Sequence, residues 1–98
     1  MARLQFRWNE RKSIQNQRKH GVSFEEAQTV FYDERALLIP DPDASNDEDR
    51  FVLLGLSSKA RMLVVCHCYR ETDSVIRIIS ARKATRAEHD EYFRRGWR

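Results

Sequence analysis

The stretch from Val75 to Arg82 constrains the fold most, because it has the pattern of a buried β-strand and yet carries two arginines. An arginine stays charged at any working pH and is costly to bury without a partner. Arg77 and Arg82 therefore need either carboxylate partners or an anion such as phosphate. In a regular strand they point to opposite faces. They can serve one site only if the chain bends near Ser80, or if Arg82 already belongs to the connection to a following helix.

The apolar pattern predicts eight elements in the order β-α-α-β-β-β-β-α. Leu4, Phe6 and Trp8 alternate with polar residues and predict the first strand. The four later strands are predicted at 36–40, 51–56, 62–69 and 75–81. The chain is thus predicted to be an α+β protein, with helices packed on one face of a mostly antiparallel sheet and the opposite face partly free.

Capping signals place the predicted helices. The segment from Glu10 to His20 has Ile14 as its only aliphatic residue, which predicts a surface helix, either merely solvated or facing phosphate or an acidic partner. Gly21 provides the left-handed residue that ends it. The segments 23–26 and 85–88 both have the capping-box pattern and predict the starts of the second and the last helix.

Length and composition limit the class of protein. A chain of 98 residues, 41% of them hydrophobic, can build one core, so one domain over residues 1–98 is predicted. No apolar run approaches the ~20 residues of a membrane helix, and the first residues lack a secretion signal, which predicts a cytoplasmic protein without membrane contact. Cys66 and Cys68 lie on one face of a predicted strand, with His67 on the other. We therefore expect no disulfide and no metal site. No cofactor is expected either.

The distribution of charge predicts a polyanionic partner. Five of the 15 acidic residues lie within 41–49, so the remainder carries 18 basic against 10 acidic side chains. Such a surface attracts nucleic acid first of all. The acidic segment itself is expected to be a solvated loop, with intramolecular mimicry of phosphate as the alternative.

Four segments together resemble a known family. They are Phe6-x-Trp8-Asn9, Lys19-His20-Gly21-Val22-x-Phe24-Glu25-x-Ala27, Val30-Phe31-x-Asp33 and Ile76-Arg77-Ile78-Ile79-Ser80-Ala81-Arg82. In this order they resemble the BrnT toxins of type II toxin-antitoxin systems. The resemblance implies a RelE-like fold, a metal-independent endoribonuclease activity that inhibits translation and growth, and RNA as the substrate. It also implies neutralisation by a BrnA-like antitoxin, in a heterotetramer that binds operator DNA through the antitoxin.

Cleavage of RNA by its own 2′-hydroxyl needs a base, an acid and cations for the extra phosphate charge, and the chain has candidates for each. Those with a predicted catalytic role are Arg70, Arg77, Arg82, His20, Glu48 and Tyr92. Those predicted to bind RNA are Lys19, Arg50, Arg11 and Arg18. The arginines suit phosphate because the guanidinium fork donates two bonds at once.

Several of these assignments have structural alternatives. His20 also fits a helix C-terminus, where the macrodipole favours a cation. Glu88 is a second candidate base, His67 is expected to be a core residue, and Asp33 is expected to form a turn. At the level of function, the alternative is a module that binds nucleic acid or a protein partner without catalysis.

Overall fold

In the computed structural model, residues 4–40, 50–70 and 74–95 are described. The strands are β1 (Gln5–Arg7), β2 (Leu37–Pro40), β3 (Phe51–Leu56), β4 (Met62–Arg70) and β5 (Val75–Lys83). The helices are α1 (Glu10–His20), α2 (Phe24–Thr29) and α3 (Arg86–Arg95), and a 3₁₀ turn over Val30–Tyr32 extends α2. This order confirms the prediction. None of the described helices is long and apolar enough to cross a membrane.

The strands form one mixed sheet in the order β1-β5-β4-β3-β2. Strands β2 to β5 are antiparallel neighbours, whereas β1 runs parallel to β5 and pairs with it only over residues 75–77. β5 continues through Arg82 to Lys83, two residues beyond its predicted end. Arg82 therefore belongs to the strand and not to the connection that follows it.

Helices cover both faces of the sheet, so the prediction that they pack on one face was wrong in this detail. On the α2 face, residues of α2 and its flanks pack against Leu53, Leu63 and Val65. On the α3 face, Tyr92 of α3 packs against Leu54 and neighbouring side chains of β4. The physical reason is that β3 and β4 carry apolar residues at consecutive positions, and such strands need cover on both sides.

Polar contacts hold α1 beside β5. Its predicted bounds are confirmed, with Asn9 as N-cap and Gly21 as a left-handed C-cap at φ 73°. The buried Asn16 side chain donates 2.8 Å hydrogen bonds to the carbonyls of Val22 and Ala81 and accepts a 3.2 Å bond from the Ala81 amide. β1 pairs with β5 only over residues 75–77. At Ala81, farther along β5, the Asn16 side chain therefore makes the backbone hydrogen bonds that a neighbouring strand would make.

The two predicted capping boxes differ in outcome. Thr85 and Glu88 form the reciprocal pair, with backbone-to-side-chain bonds of 2.8 and 3.2 Å. At the start of α2, Ser23 accepts from the Glu26 amide at 3.1 Å, but the Glu26 carboxylate turns away to the connection between β3 and β4. There it accepts from the Ser57 hydroxyl and pairs with Arg61.

Candidate functional site

A β-bulge in β5 places Arg77 and Arg82 on the same face of the sheet. Ile79 is the extra residue, since neighbouring positions of β4 pair with Ile78 and with Ser80. The β4 residues on the α3 face lie opposite three residues of β5: Cys68 opposite Arg77, Cys66 opposite Ser80, and Val64 opposite Arg82. A bend near Ser80 was one of the two ways in which both arginines could serve one site. The structure has this bend.

The part of the α3 face that α3 leaves uncovered is an open groove made of three joined hollows, here called the cationic groove. The outer hollow is lined by Trp8 and three arginines, and it shares Arg77 with the middle hollow. The middle hollow shares Arg50 with the inner hollow, which also contains His20 and Arg82. The basic side chains along the groove are Arg7, Arg70, Arg77, Lys12, Arg50, His20 and Arg82.

Helix α1 forms one wall of this groove. Lys12 lines the middle hollow and His20 the inner one, and Asn16 lies between them in the helix. Because Asn16 is fixed to the backbone of β5, its neighbours four residues away on either side are held toward the same strand. Docking through Asn16 thus sets the positions of Lys12 and His20 over the sheet.

The guanidinium of Arg82 is oriented by Glu88. Two bonds of 2.7 and 2.8 Å join the fork to the carboxylate, and both side chains are partly exposed. The bonds from Arg82 are the main reason that the pKa of Glu88 falls from 4.5 to about 2. A carboxylate of such low proton affinity is a poor general base at neutral pH, so Glu88 positions Arg82 rather than accepting a proton.

Unlike Arg82, Arg77 has no carboxylate partner among the residues that the structure describes. Within the described ranges it makes no hydrogen bond and no ion pair, although its side chain is half-buried and borders two of the hollows. A charged, half-buried group with unused donors is suited to an anion from solution. None of the described residues thus competes with a ligand in the groove for the donors of Arg77.

The structure gathers half of the predicted site residues in this groove. Those brought together are Arg70, Arg77, Arg82, His20 and Arg50. Lys19, Arg11 and Arg18 are exposed on α1 but line none of the three hollows, and Glu48 lies outside the described residues. The individual roles of all these residues remain predictions.

Sequence reasoning missed four residues of the groove: Arg7, Trp8, Asn9 and Lys12. A signal for Lys12 was present, because residues 12, 16 and 20 are spaced four apart and share one side of a helix. Because Asn16, the middle residue of the three, is buried, this side of the helix is the one that packs against β5. The other three lie at the end of β1, and only the parallel pairing with β5 brings them to Arg77.

Tyr92 lies away from the groove. It is 1% exposed, and its hydroxyl donates a 2.8 Å bond to Oδ2 of Asp33, which also accepts from the Leu56 amide. Burial acts to raise the pKa of Asp33, but these bonds and one from the Arg35 amide hold it below its ordinary value. Asp33 thus joins α3 to the end of β3 and forms the turn that the sequence predicted.

His67 is buried on the α2 face, opposite to the groove. Its ring contacts Phe31 and Tyr69 at centroid distances of 4.7 and 5.4 Å, and its Nδ1 lies 3.1 Å from the Val65 carbonyl. Its Nε2 has no hydrogen-bond partner among the described residues. His67 thus lies in the core, as predicted, although its Nε2 is not satisfied as expected for such a residue. Burial lowers the pKa of His67 below 6.5, which favours the neutral form.

This burial predicts a pH-dependent stability. Because the pKa of His67 is lowered in the folded state, the contribution of this residue to the free energy of unfolding is fully present above pH 6.5 and is lost as the pH falls. We expect the free energy of unfolding to drop by up to about 1.4 kcal/mol per pH unit below that point. Urea unfolding between about pH 7.5 and 5 should show this slope. His67→Phe should remove it, and His89→Gln at an exposed position of α3 should keep it. An unchanged slope in His67→Phe would assign the effect to other groups.

The fold and the groove define a small α+β protein whose basic side chains are gathered along an open groove of a bulged sheet. The family model described as "Ribonuclease toxin, BrnT, of type II toxin-antitoxin system" matches residues 8–88, and the chain therefore belongs to the BrnT family of ribonuclease toxins. This membership confirms the resemblance inferred from the sequence, and it implies a protein antitoxin as partner.

A solved structure supports the fold assignment. The 1.1 Å crystal structure of the Brucella abortus ribonuclease toxin BrnT matches with a TM-score of 0.63 and 21% sequence identity, over 85% of this chain and 99% of that chain. At this identity the likeness concerns the fold alone. A comparison with curated proteins finds no match.

Proposed function

We propose that this protein is a metal-independent endoribonuclease toxin that cleaves RNA in the cationic groove and thereby inhibits translation and growth. The observation that carries the proposal is the bulge at Ile79, which sets Arg77 and Arg82 on one face within connected hollows. Without the bulge the two guanidinium groups lie on opposite faces of the sheet. Two guanidinium groups placed on one face in this way are expected where a phosphate that gains negative charge has to be stabilised.

The proposed reaction needs only the substrate and protein side chains. A base takes the proton of the 2′-hydroxyl, the 2′-oxygen attacks the adjacent phosphorus, and the bond to the 5′-oxygen breaks as that oxygen gains a proton. The products are a 2′,3′-cyclic phosphate and a 5′-hydroxyl. Arg77 and Arg82 stabilise the charge on the non-bridging oxygens. His20, in the same hollow as Arg82, is the candidate for proton transfer, with Glu48 as the second candidate.

The proposed partner is a BrnA-like antitoxin, in keeping with the type II system named in the family description. We propose a cytoplasmic heterotetramer, assembled through a dimeric antitoxin that also binds operator DNA. Masking of the toxin is required, because a free ribonuclease would damage the RNA of its own cell.

Incubation of the purified protein with RNA in EDTA tests the activity. We expect cleavage to persist, with 2′,3′-cyclic phosphate and 5′-hydroxyl ends identified by mass spectrometry. A substrate with a single 2′-deoxy residue at the cleavage position should resist cleavage. A requirement for magnesium would refute the metal-independent mechanism, and RNA binding without cleavage would favour the non-catalytic module.

Tyr92→Phe separates stability from catalysis. Loss of the hydroxyl removes the bond to Asp33, and we expect the free energy of unfolding to fall by about 1–2 kcal/mol. RNA cleavage should stay within about twofold of the wild type, since the buried ring lies outside the groove. Cleavage rates at a temperature where both proteins are folded provide the measurement. A large loss of activity would restore Tyr92 as a catalytic candidate.

A further inference from the structure

We propose that the middle hollow holds the phosphate that is cleaved, and that Lys12 is a catalytic residue that binds this phosphate together with Arg77. This inference rests on the proposed function and adds a residue to the same site. The middle hollow measures about 120 Å³, well below the ~300–1,000 Å³ found for small-molecule sites. It is too small for a nucleoside, so a single phosphate group is the part of RNA that suits it.

The lining of the middle hollow matches an anion. Lys12, Arg50 and Arg77 each bring a positive charge to it, and Asn9 adds a polar side chain. No carboxylate lines this hollow within residues 4–40, 50–70 and 74–95. Lysine and arginine bind phosphate through charge-assisted hydrogen bonds, which are stronger than bonds between neutral groups. An anion in this hollow is therefore bordered by cations from both α1 and the sheet.

Two buried polar contacts fix the rotation of α1 about its own axis. The Ser13 hydroxyl accepts a 3.1 Å bond from the Phe24 amide of α2, whereas the Asn16 side chain bonds to the backbone of β5 at Ala81. Successive residues of a helix point about 100° apart. Lys12 consequently lies on the side of Asn16 that is opposite to Ser13. This side faces the groove, and Lys12 lines the middle hollow there.

The ammonium of Lys12 is not taken up by another described side chain. Only the backbone amide of this residue is bonded, to the Asn9 side chain at 3.1 Å. Glu10, the nearest acidic residue along the chain, accepts a 3.2 Å bond from the indole of Trp8 and lines none of the three hollows. Lys12 and Arg77 thus border the same small hollow, and no described carboxylate is paired with either.

The position of Lys12 suits a contact that strengthens during the reaction. When the 2′-oxygen adds to the phosphorus, the non-bridging oxygens gain negative charge. A hydrogen bond from an ammonium to one of these oxygens is then stronger than it is with the bound substrate. Lys12 should therefore act mainly on kcat, whereas a lysine that only attracts RNA from solution would act on KM.

Lys12→Met tests this role, because it keeps the length of the side chain and removes the ammonium. We expect kcat for a defined single-stranded RNA in EDTA to fall about 10²-fold, with KM changed by less than about threefold. Lys12→Arg keeps a cationic donor and should recover at least about tenfold of the loss.

Lys59→Met is the matched control. Lys59 is exposed in the turn between β3 and β4 and lines none of the three hollows. This variant should keep kcat within about twofold of the wild type. A loss of kcat in Lys59→Met equal to that in Lys12→Met would show that any removed lysine has this effect, and it would refute the assignment of Lys12.

Phosphorothioate substrates test the contact itself. In each of two diastereomers, sulfur replaces one non-bridging oxygen of the cleaved phosphate, and sulfur is the weaker hydrogen-bond acceptor. We expect the wild type to cleave at least one diastereomer more slowly than the parent RNA. This penalty should shrink at least about threefold in Lys12→Met, where the bond is already missing, and persist in Lys59→Met. Penalties that are the same in Lys12→Met and the wild type for both diastereomers would refute the contact.

The outcomes separate the role of Lys12 from the function. If Lys12→Met keeps the kcat of the wild type while Arg77→Ala loses activity, the catalytic role of Lys12 is refuted and the ribonuclease proposal stands. Absence of cleavage by the wild type would refute the function and the role together. Circular dichroism checks the folding of each variant. Lys12→Gln, which also lacks the charge, replaces Lys12→Met should that variant not fold.

Discussion

Arg77→Ala should lower the kcat/KM of RNA cleavage by about 10²–10³-fold, the loss seen when one donor to a developing oxyanion is removed. The reason is that Arg77 has no partner among the described residues, so its donors are available to the phosphate. Arg77→Lys should recover part of the rate, because an ammonium keeps the charge but not the planar fork. Initial rates with a defined single-stranded RNA provide the measurement.

Arg86→Ala is the matched control for this variant. It removes the same charge from the same molecule, but Arg86 is exposed at the start of α3 and lines none of the three hollows. We expect a change of less than about threefold, confined to KM and reduced by added salt. If Arg86→Ala and Arg77→Ala lose activity equally, the effect of Arg77 is general electrostatic attraction. The proposed phosphate site at Arg77 would then be abandoned.

The order of elements and most of their bounds followed from the sequence, because periodicity and capping are local signals. Asn9, Gly21 and Thr85 each have the predicted role at a helix end. The bulge at Ile79 is different. Ile78 and Ile79 are equally apolar, so the pattern could show that a bend was needed for a common site but not which residue provides it.

Contacts between distant segments explain what the sequence could not predict. Glu26 has the spacing of a capping box, but Arg61 and Ser57 offer its carboxylate a stronger, charged set of donors. Asn16 has no apolar neighbours to mark it as buried, and its role depends on where β1 stops pairing with β5. The arginines of β5 were identified as groove residues from the local sequence pattern. The position of Trp8 at the groove could not be, because it depends on β1 being the strand that pairs with β5.

Arg61→Leu should cause the largest loss of stability, about 3–5 kcal/mol, because it leaves a buried carboxylate without its charged partner. Glu26 is 4% exposed, and its carboxylate pairs with Nε of Arg61 at 2.9 Å and with Nη2 as well. Arg61 itself is 32% exposed in its side chain. The converse variant Glu26→Gln should therefore cost less, about 1–2 kcal/mol, since the guanidinium left behind can be solvated. Urea unfolding at neutral pH measures both.

The pH dependence of this loss identifies its cause. In the wild type, the hydrogen bond from Arg61 is the main reason that the pKa of Glu26 lies below 4.5, so this contribution to stability is lost as the pH falls. In Arg61→Leu that bond is missing, so burial raises the pKa of Glu26. The buried carboxylate then lowers the free energy of unfolding of the variant at neutral pH, and this loss is removed as Glu26 takes up a proton at lower pH. The difference in free energy of unfolding between the wild type and Arg61→Leu should consequently narrow from pH 7 to about pH 4.

The double variant Glu26→Leu, Arg61→Leu should regain much of the lost stability at pH 7, because apolar residues often replace a buried ion pair at little cost. A gap that is independent of pH would instead assign the loss to the packing of the Arg61 side chain.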